Sequence, residues 1–87
     1  MNTEKIKQEI LRAIEPLWEK EPNTLYGLRV VLPQFDNPVG LFFEWNKIGR
    51  ATISRAILTY PSDEVEAVLT AVHLLEHEKG LTVSIYK

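Results

Sequence analysis

Eighty-seven residues make one small domain, and a chain of that size buries only about 60–65% of the surface it exposes when unfolded. Its core must be well packed, or be completed by a second copy in a homodimer or by a partner. There are no cysteines, which excludes disulfides and thiolate metal sites. Ten basic and twelve acidic residues leave a net charge of −2, which offers no general attraction to nucleic acid.

An apolar fraction of 45% is ordinary for a folded protein and argues against global disorder. The polar start Met1-Asn2-Thr3-Glu4 has no apolar run behind it, so no signal peptide is expected. No stretch approaches the roughly 20 apolar residues of a membrane span. The expectation is a cytoplasmic protein with no membrane partner. Charge is unevenly spread: residues 1–61 carry eight basic and seven acidic side chains, residues 62–87 two and five.

Thr3 to Glu15 has helical spacing. Ile6, Ile10, Ile14 and Leu17 form an apolar stripe widened by Leu11 and Trp18. Glu4, Lys5, Lys7, Glu9 and Arg12 are expected on the polar side. Pro16 lacks an N–H, and its ring crowds the carbonyl of Arg12. Because Leu17 and Trp18 stay in phase, a kink and one further turn are expected before Pro22-Asn23.

Thr24 to Leu32 reads as a strand, with Tyr26, Leu28, Val30 and Leu32 on one face and Leu25, Gly27, Arg29 and Val31 on the other. A loop at Asp36-Asn37-Pro38 leads to a second strand, Val39 to Trp45, whose Val39, Leu41, Phe43 and Trp45 oppose Gly40, Phe42 and Glu44. Asn46 to Gly49 is a hairpin turn in this reading. Arg50 to Tyr60 favours a strand by its Thr, Ile and Tyr content, but its alternation breaks near Arg55. Ala51 and Ile53 fit one phase; Ala56, Leu58 and Tyr60 fit the other. A bulge reconciles them, whereas a helix with Ile53, Ala56, Ile57 and Tyr60 on one face is the competing reading.

Pro61-Ser62-Asp63 starts a second helix. Asp63 and Glu66 have capping-box spacing, and the acidic group Asp63, Glu64 and Glu66 suits the positive helix end. Val65, Val68, Leu69, Val72 and Leu75 are its expected buried stripe, and Gly80 its left-handed stop. Leu81 to Tyr86 is a final strand. The order α-β-β-β-α-β implies an α+β two-layer sandwich, with both helices on one face of a four-stranded, mostly antiparallel sheet.

Candidate chemistry is sparse. His73 and His77 share a helix face four residues apart, as two metal ligands would, but no third ligand accompanies them; a solvated helix end explains them, and no metal or cofactor is expected. Ser54, Ser62 and Ser84 lie in no glycine-flanked elbow. The glycines at 27, 40, 49 and 80 are dispersed, so no phosphate loop exists. An enzyme is therefore not expected.

The order α-β-β-β-α resembles that of the double-stranded RNA-binding domain, which carries lysines at the start of its last helix. Ser62-Asp63-Glu64-Val65-Glu66 stands at that place here, and carboxylates would repel phosphate. The resemblance fails at its functional residues, and the final strand is surplus to that pattern.

What remains is surface. A sheet face left open by the helices would present Arg29, Val31, Phe42, Glu44 and Tyr86, and aromatic residues and arginine are enriched at interface centres. The best-supported reading is a non-catalytic interaction, regulatory or inhibitor module using Arg29, Phe42, Glu44 and Tyr86, an edge strand, or the acidic group Asp63, Glu64 and Glu66. Inhibitors, antitoxins, immunity proteins and phage-encoded anti-defence proteins are comparable in size and charge. The alternatives are a nucleic-acid binder using Lys47, Arg50 and Arg55, and a small-ligand or enzyme domain with a pocket formed between two copies.

Overall fold

A computed structural model describes residues 3–35 and 37–86. The start at Met1-Asn2 and Asp36 of the expected loop lie outside them. Among the described residues the chain forms α1 (Thr3–Ile14), β1 (Thr24–Val31), β2 (Val39–Lys47), β3 (Ile53–Tyr60), α2 (Val65–Lys79) and β4 (Thr82–Tyr86). A single 3-10 turn at Ser62–Glu64 precedes α2.

The strands lie in the order β3-β2-β1-β4. β1 is antiparallel to β2 and β2 to β3, while β4 runs parallel to β1. That last pairing follows from topology: α2 carries the chain from one edge of the sheet to the other, and β4 docks beside β1. Both helices pack on one side, α1 over β3 and α2 over β4, and against each other. The two-layer α+β sandwich expected from the sequence is the fold observed.

Inward-pointing residues build one core. Ile6, Ile10 and Ile14 of α1 and Val68, Ala71, Val72 and Leu75 of α2 meet Leu28, Val30, Val39, Leu41, Phe43 and Tyr60 of the sheet, with Leu81 beside them. Val65 and Leu69 of the expected α2 stripe are only half-buried at its margin. At one end of the core the rings of Tyr26 and Trp45 flank that of Phe43, each 5.8 Å away, and Trp18 packs edge-on against Phe43 at 6.4 Å.

Five local expectations need correction. α1 breaks rather than kinks: it ends at Ile14, and the further turn expected after it is a hydrogen-bonded turn at residues 15–17 and not helix. Pro16 cannot donate to the Arg12 carbonyl, yet the Trp18 N–H reaches Ile14 O at 2.8 Å. The tightened turn still delivers Leu17 and Trp18 to the core, which is why they kept helical phase.

Lys7 is not on the polar face but buried between the helices, its ammonium donating to Glu78 at 3.0 and 3.1 Å and lying 3.2 Å from Glu4. It stands two turns before Ile14, so its stem belongs to the apolar stripe and only its tip reaches the carboxylates.

Asn46 and Lys47 belong to β2 rather than to the turn, which occupies 48–52 with Gly49 at φ +81°. The Asn46 amide donates to Arg50 O and Thr52 Oγ1, both at 3.0 Å, and holds that loop. β3 is a strand, not a helix, and does contain a bulge, opposite the Leu41–Phe42 step of β2. The extra residue is Ile57, so Ala56 pairs with Phe42 on the outer face while Leu58 pairs with Leu41 on the inner one; Ala56, Leu58 and Tyr60 do not share a face. The capping box of Asp63 and Glu66 does not form, because the 3-10 turn occupies that place and α2 begins at Val65 without a side-chain cap. Gly80 does end α2 in the left-handed region, at φ +67°.

Tyr60 locks β3 to α1, its hydroxyl donating to Glu9 at 2.7 Å. Burial, and then the Glu9 carboxylate, hold this phenol well above its ordinary value of 10.0. A raised phenol stabilises the fold fully below its unfolded value and ceases to do so as pH rises through the folded one. Tyr60→Phe should cost about 1 kcal/mol at neutral pH, the typical net worth of a part-exposed hydrogen bond. Its urea midpoint should then fall less steeply than that of the unsubstituted protein above about pH 10. Parallel alkaline profiles in the two proteins would contradict this role.

Candidate functional site

The face of the sheet turned away from both helices is built from alternate residues of all four strands. Strand register places Arg29 beside Phe42 on one flank and Ser84 on the other, with Val31 next to Tyr86 and Gly27 next to Glu44. Arg29, Phe42, Glu44 and Tyr86 therefore converge, though they come from three strands.

Arg29 is the centre of the group. Its guanidinium carbon lies 4.7 Å from the ring centre of Tyr86 and 5.7 Å from that of Phe42, within cation–π range. One terminal nitrogen donates to Glu44 Oε1 at 3.4 Å, while Nε is covered and has no partner among the described residues. The arginine is held chiefly by stacking between two rings. Phe42 leans over Gly40, where a Cβ would meet the ring in ordinary contact at 3.5 Å. Tyr86 remains 49% exposed, and among the described residues no helix shields the group.

The acidic group does not join that face. Asp63 and Glu64 lie in the 3-10 turn and Glu66 in the first turn of α2. Glu64 has one carboxylate oxygen buried without a partner among the described residues. His73 and His77 lie on the exposed side of α2, where His73 Nδ1 is 3.6 Å from Glu76. Among the described residues no group of three or more His, Asp or Glu side chains could hold a metal ion, and no helix is long and apolar enough to cross a membrane.

Lys47, Arg50 and Arg55 do come together, but around a cleft rather than along an open track. The cleft, of about 390 Å³, lies where the sheet runs past the end of α1; besides the three cations it is lined by Leu17, Glu19, Glu21, Tyr26, Trp45 and Ile53. Lys47 is paired with Glu21 at 2.7 Å, whereas Arg50 and Arg55 have no carboxylate partner among the described residues. Glu21 is held below its ordinary value, first by Lys47 and then by Glu19, and Glu19 is pushed up by its hydrogen bond to Glu21. The Glu21 N–H donates to the Tyr26 hydroxyl at 3.1 Å.

Sequence reasoning missed this cleft as a unit and placed any pocket between two copies. A signal was present: the inward phase of β2 continues from Trp45 to Lys47, and that of β3 runs from Ile53 to Arg55, so apolar residues give way to cations along one face. The chain matches no protein-family model, no curated protein and no solved structure.

Proposed function

We propose that this protein is a non-catalytic interaction module of the cytoplasm, and that it binds a protein partner through the open sheet face centred on Arg29. The observation that carries the reading is the convergence of Arg29, Phe42, Glu44 and Tyr86 on the side of the sheet no helix covers. Arginine and aromatic residues are enriched among those that dominate binding energy at interface centres, the rings because they offer large area at little rotamer cost. Two rings and Glu44 already restrain Arg29, so little further ordering is needed when a partner arrives. The fitting partner presents an apolar or aromatic centre with a polar rim. Such a module acts by blocking or bridging, as a regulator or inhibitor does.

Less supports the nucleic-acid reading. Lys47 is committed to Glu21, and two carboxylates stand among the three cations. Retention on heparin that weakens with salt would favour it over the present proposal.

The test is affinity capture from the native host with the unsubstituted protein and with an Arg29→Ala, Phe42→Ser variant of matching circular dichroism. The expected result is one stoichiometric protein that the variant fails to capture. Equal capture by both would remove the open face from the account. Light scattering on the free protein identifies a second copy as the occupant if the molecular mass is doubled and the same variant halves it.

A further inference from the structure

We infer that the cleft beside α1 binds a small, planar aromatic molecule carrying one anionic group. This site is separate from the open face, since Tyr26, Trp45, Ile53 and Arg55 point to the helix side of the sheet.

Size, wall and charge each favour that class of ligand. A volume of about 390 Å³ falls in the range of small-molecule sites, about 300–1,000 Å³. Tyr26 and Trp45 form one wall, and both rings are backed by Phe43 at the core, so the wall is rigid before anything binds. A rigid aromatic wall suits a flat ring, which stacks on it without ordering new side chains.

Charge selects the rest of the molecule. Three cations face two carboxylates in the lining. Lys47 and Glu21 satisfy each other, which leaves Arg50 and Arg55 as guanidinium groups without a carboxylate. Each has paired donors suited to a carboxylate or phosphate. The Tyr26 hydroxyl accepts from the Glu21 N–H and keeps its own proton available to donate. Stacking surface, two open guanidiniums and a phenol donor thus border one space.

The order of the polypeptide explains why the space stays open. α1 ends at Ile14 while β2 continues to Lys47, so the irregular segment 15–21 covers only part of the sheet's end. Gly49 and the side chain of Asn46 fix the loop that carries Arg50.

Titration of the isotopically labelled full chain with 2-naphthoate and with adenosine monophosphate, followed by amide and indole NMR shifts, tests the site. The expected result is saturable shifts at Trp45, Lys47 and residues 50–55 with at least one of these probes. Arg50→Gln with Arg55→Gln should weaken that binding about tenfold, the combined effect of two part-exposed charge pairs. Both positions are exposed, so an unaltered thermal midpoint should accompany the loss. Equal binding of the neutral 2-naphthalenemethanol, unchanged affinity in the double variant, or no shifts from either anionic probe at millimolar concentration would each overturn the inference. Capture through the Arg29 face is unaffected by any of these results, so the two readings fail independently.

Discussion

Phe43→Ala should cost about 3–5 kcal/mol, the usual loss for truncating a fully buried ring, whereas Phe42→Ala should cost about 1 kcal/mol or less. The two phenylalanines are neighbours on β2 and differ only in the face they occupy. Phe43 is wholly buried, paired with Leu28 on β1 and Arg55 on β3, and sits between the rings of Tyr26 and Trp45. Its removal leaves a void that three large rings cannot collapse to fill. A small domain has about 5–10 kcal/mol of stability in all, so the Phe43→Ala protein should be marginal at 37 °C.

Phe42 touches the Arg29 guanidinium and leans over Gly40, and it is only half-buried. Its loss removes one exposed cation–π contact, about 0.5–1 kcal/mol. Urea denaturation followed by circular dichroism measures both variants. Similar large losses would mean that the outer face is covered in the folded protein, and the proposed docking surface would go with it.

Gly27→Ala should destabilise by about 1–3 kcal/mol, the common cost of forcing atoms into filled space. The obstacle is the parallel approach of β4. A Cβ at position 27 would collide with the Thr82 hydroxyl and lie 2.9 Å from the Thr82 carbonyl oxygen. A side chain could rotate away, but a backbone carbonyl in a ladder cannot, so β4 must shift relative to β1. The Thr82 hydroxyl also donates to Tyr26 O at 3.3 Å, a contact that the intruding methyl breaks. Adding Thr82→Ala should therefore restore only part of the loss.

Gly40→Ala is the control. It lies on the same outer face, but its nearest neighbours would be ordinary contacts at 3.5 and 3.8 Å. A glycine replaced without clash tends to stabilise by restricting the unfolded chain, by about 0.4–1 kcal/mol. A domain of this size shifts its melting temperature by roughly 4–8 °C per kcal/mol, so the two substitutions should move it in opposite directions. Equal shifts would show that β4 does not sit tightly against Gly27.

Periodicity carried most of the architecture. The stripe Ile6, Ile10, Ile14 and the alternations through Leu28–Val30 and Leu41–Phe43 state which side of each element is apolar, and apolar sides must meet. That requirement alone leads to two helices on one face of a sheet and leaves Arg29, Phe42, Glu44 and Tyr86 on the other. Gly80 announces the end of α2 because only a left-handed residue closes a helix in that way without strain.

Other features depended on partners distant in the chain. Lys7 carries a charge that local patterning assigns to water, and Glu78 of α2, seventy-one positions away, is what holds it between the helices. The break in β3 signals a bulge somewhere, but pairing with β2 decides that Ile57 is the extra residue. Gly27 looks like any strand glycine until β4 arrives beside it. The cleft depends on where α1 stops relative to how far β2 extends, a difference between two element ends set by packing. Local preference acts within a few residues along the chain; closeness between Tyr26, Arg50 and Arg55 exists only once the sheet has formed.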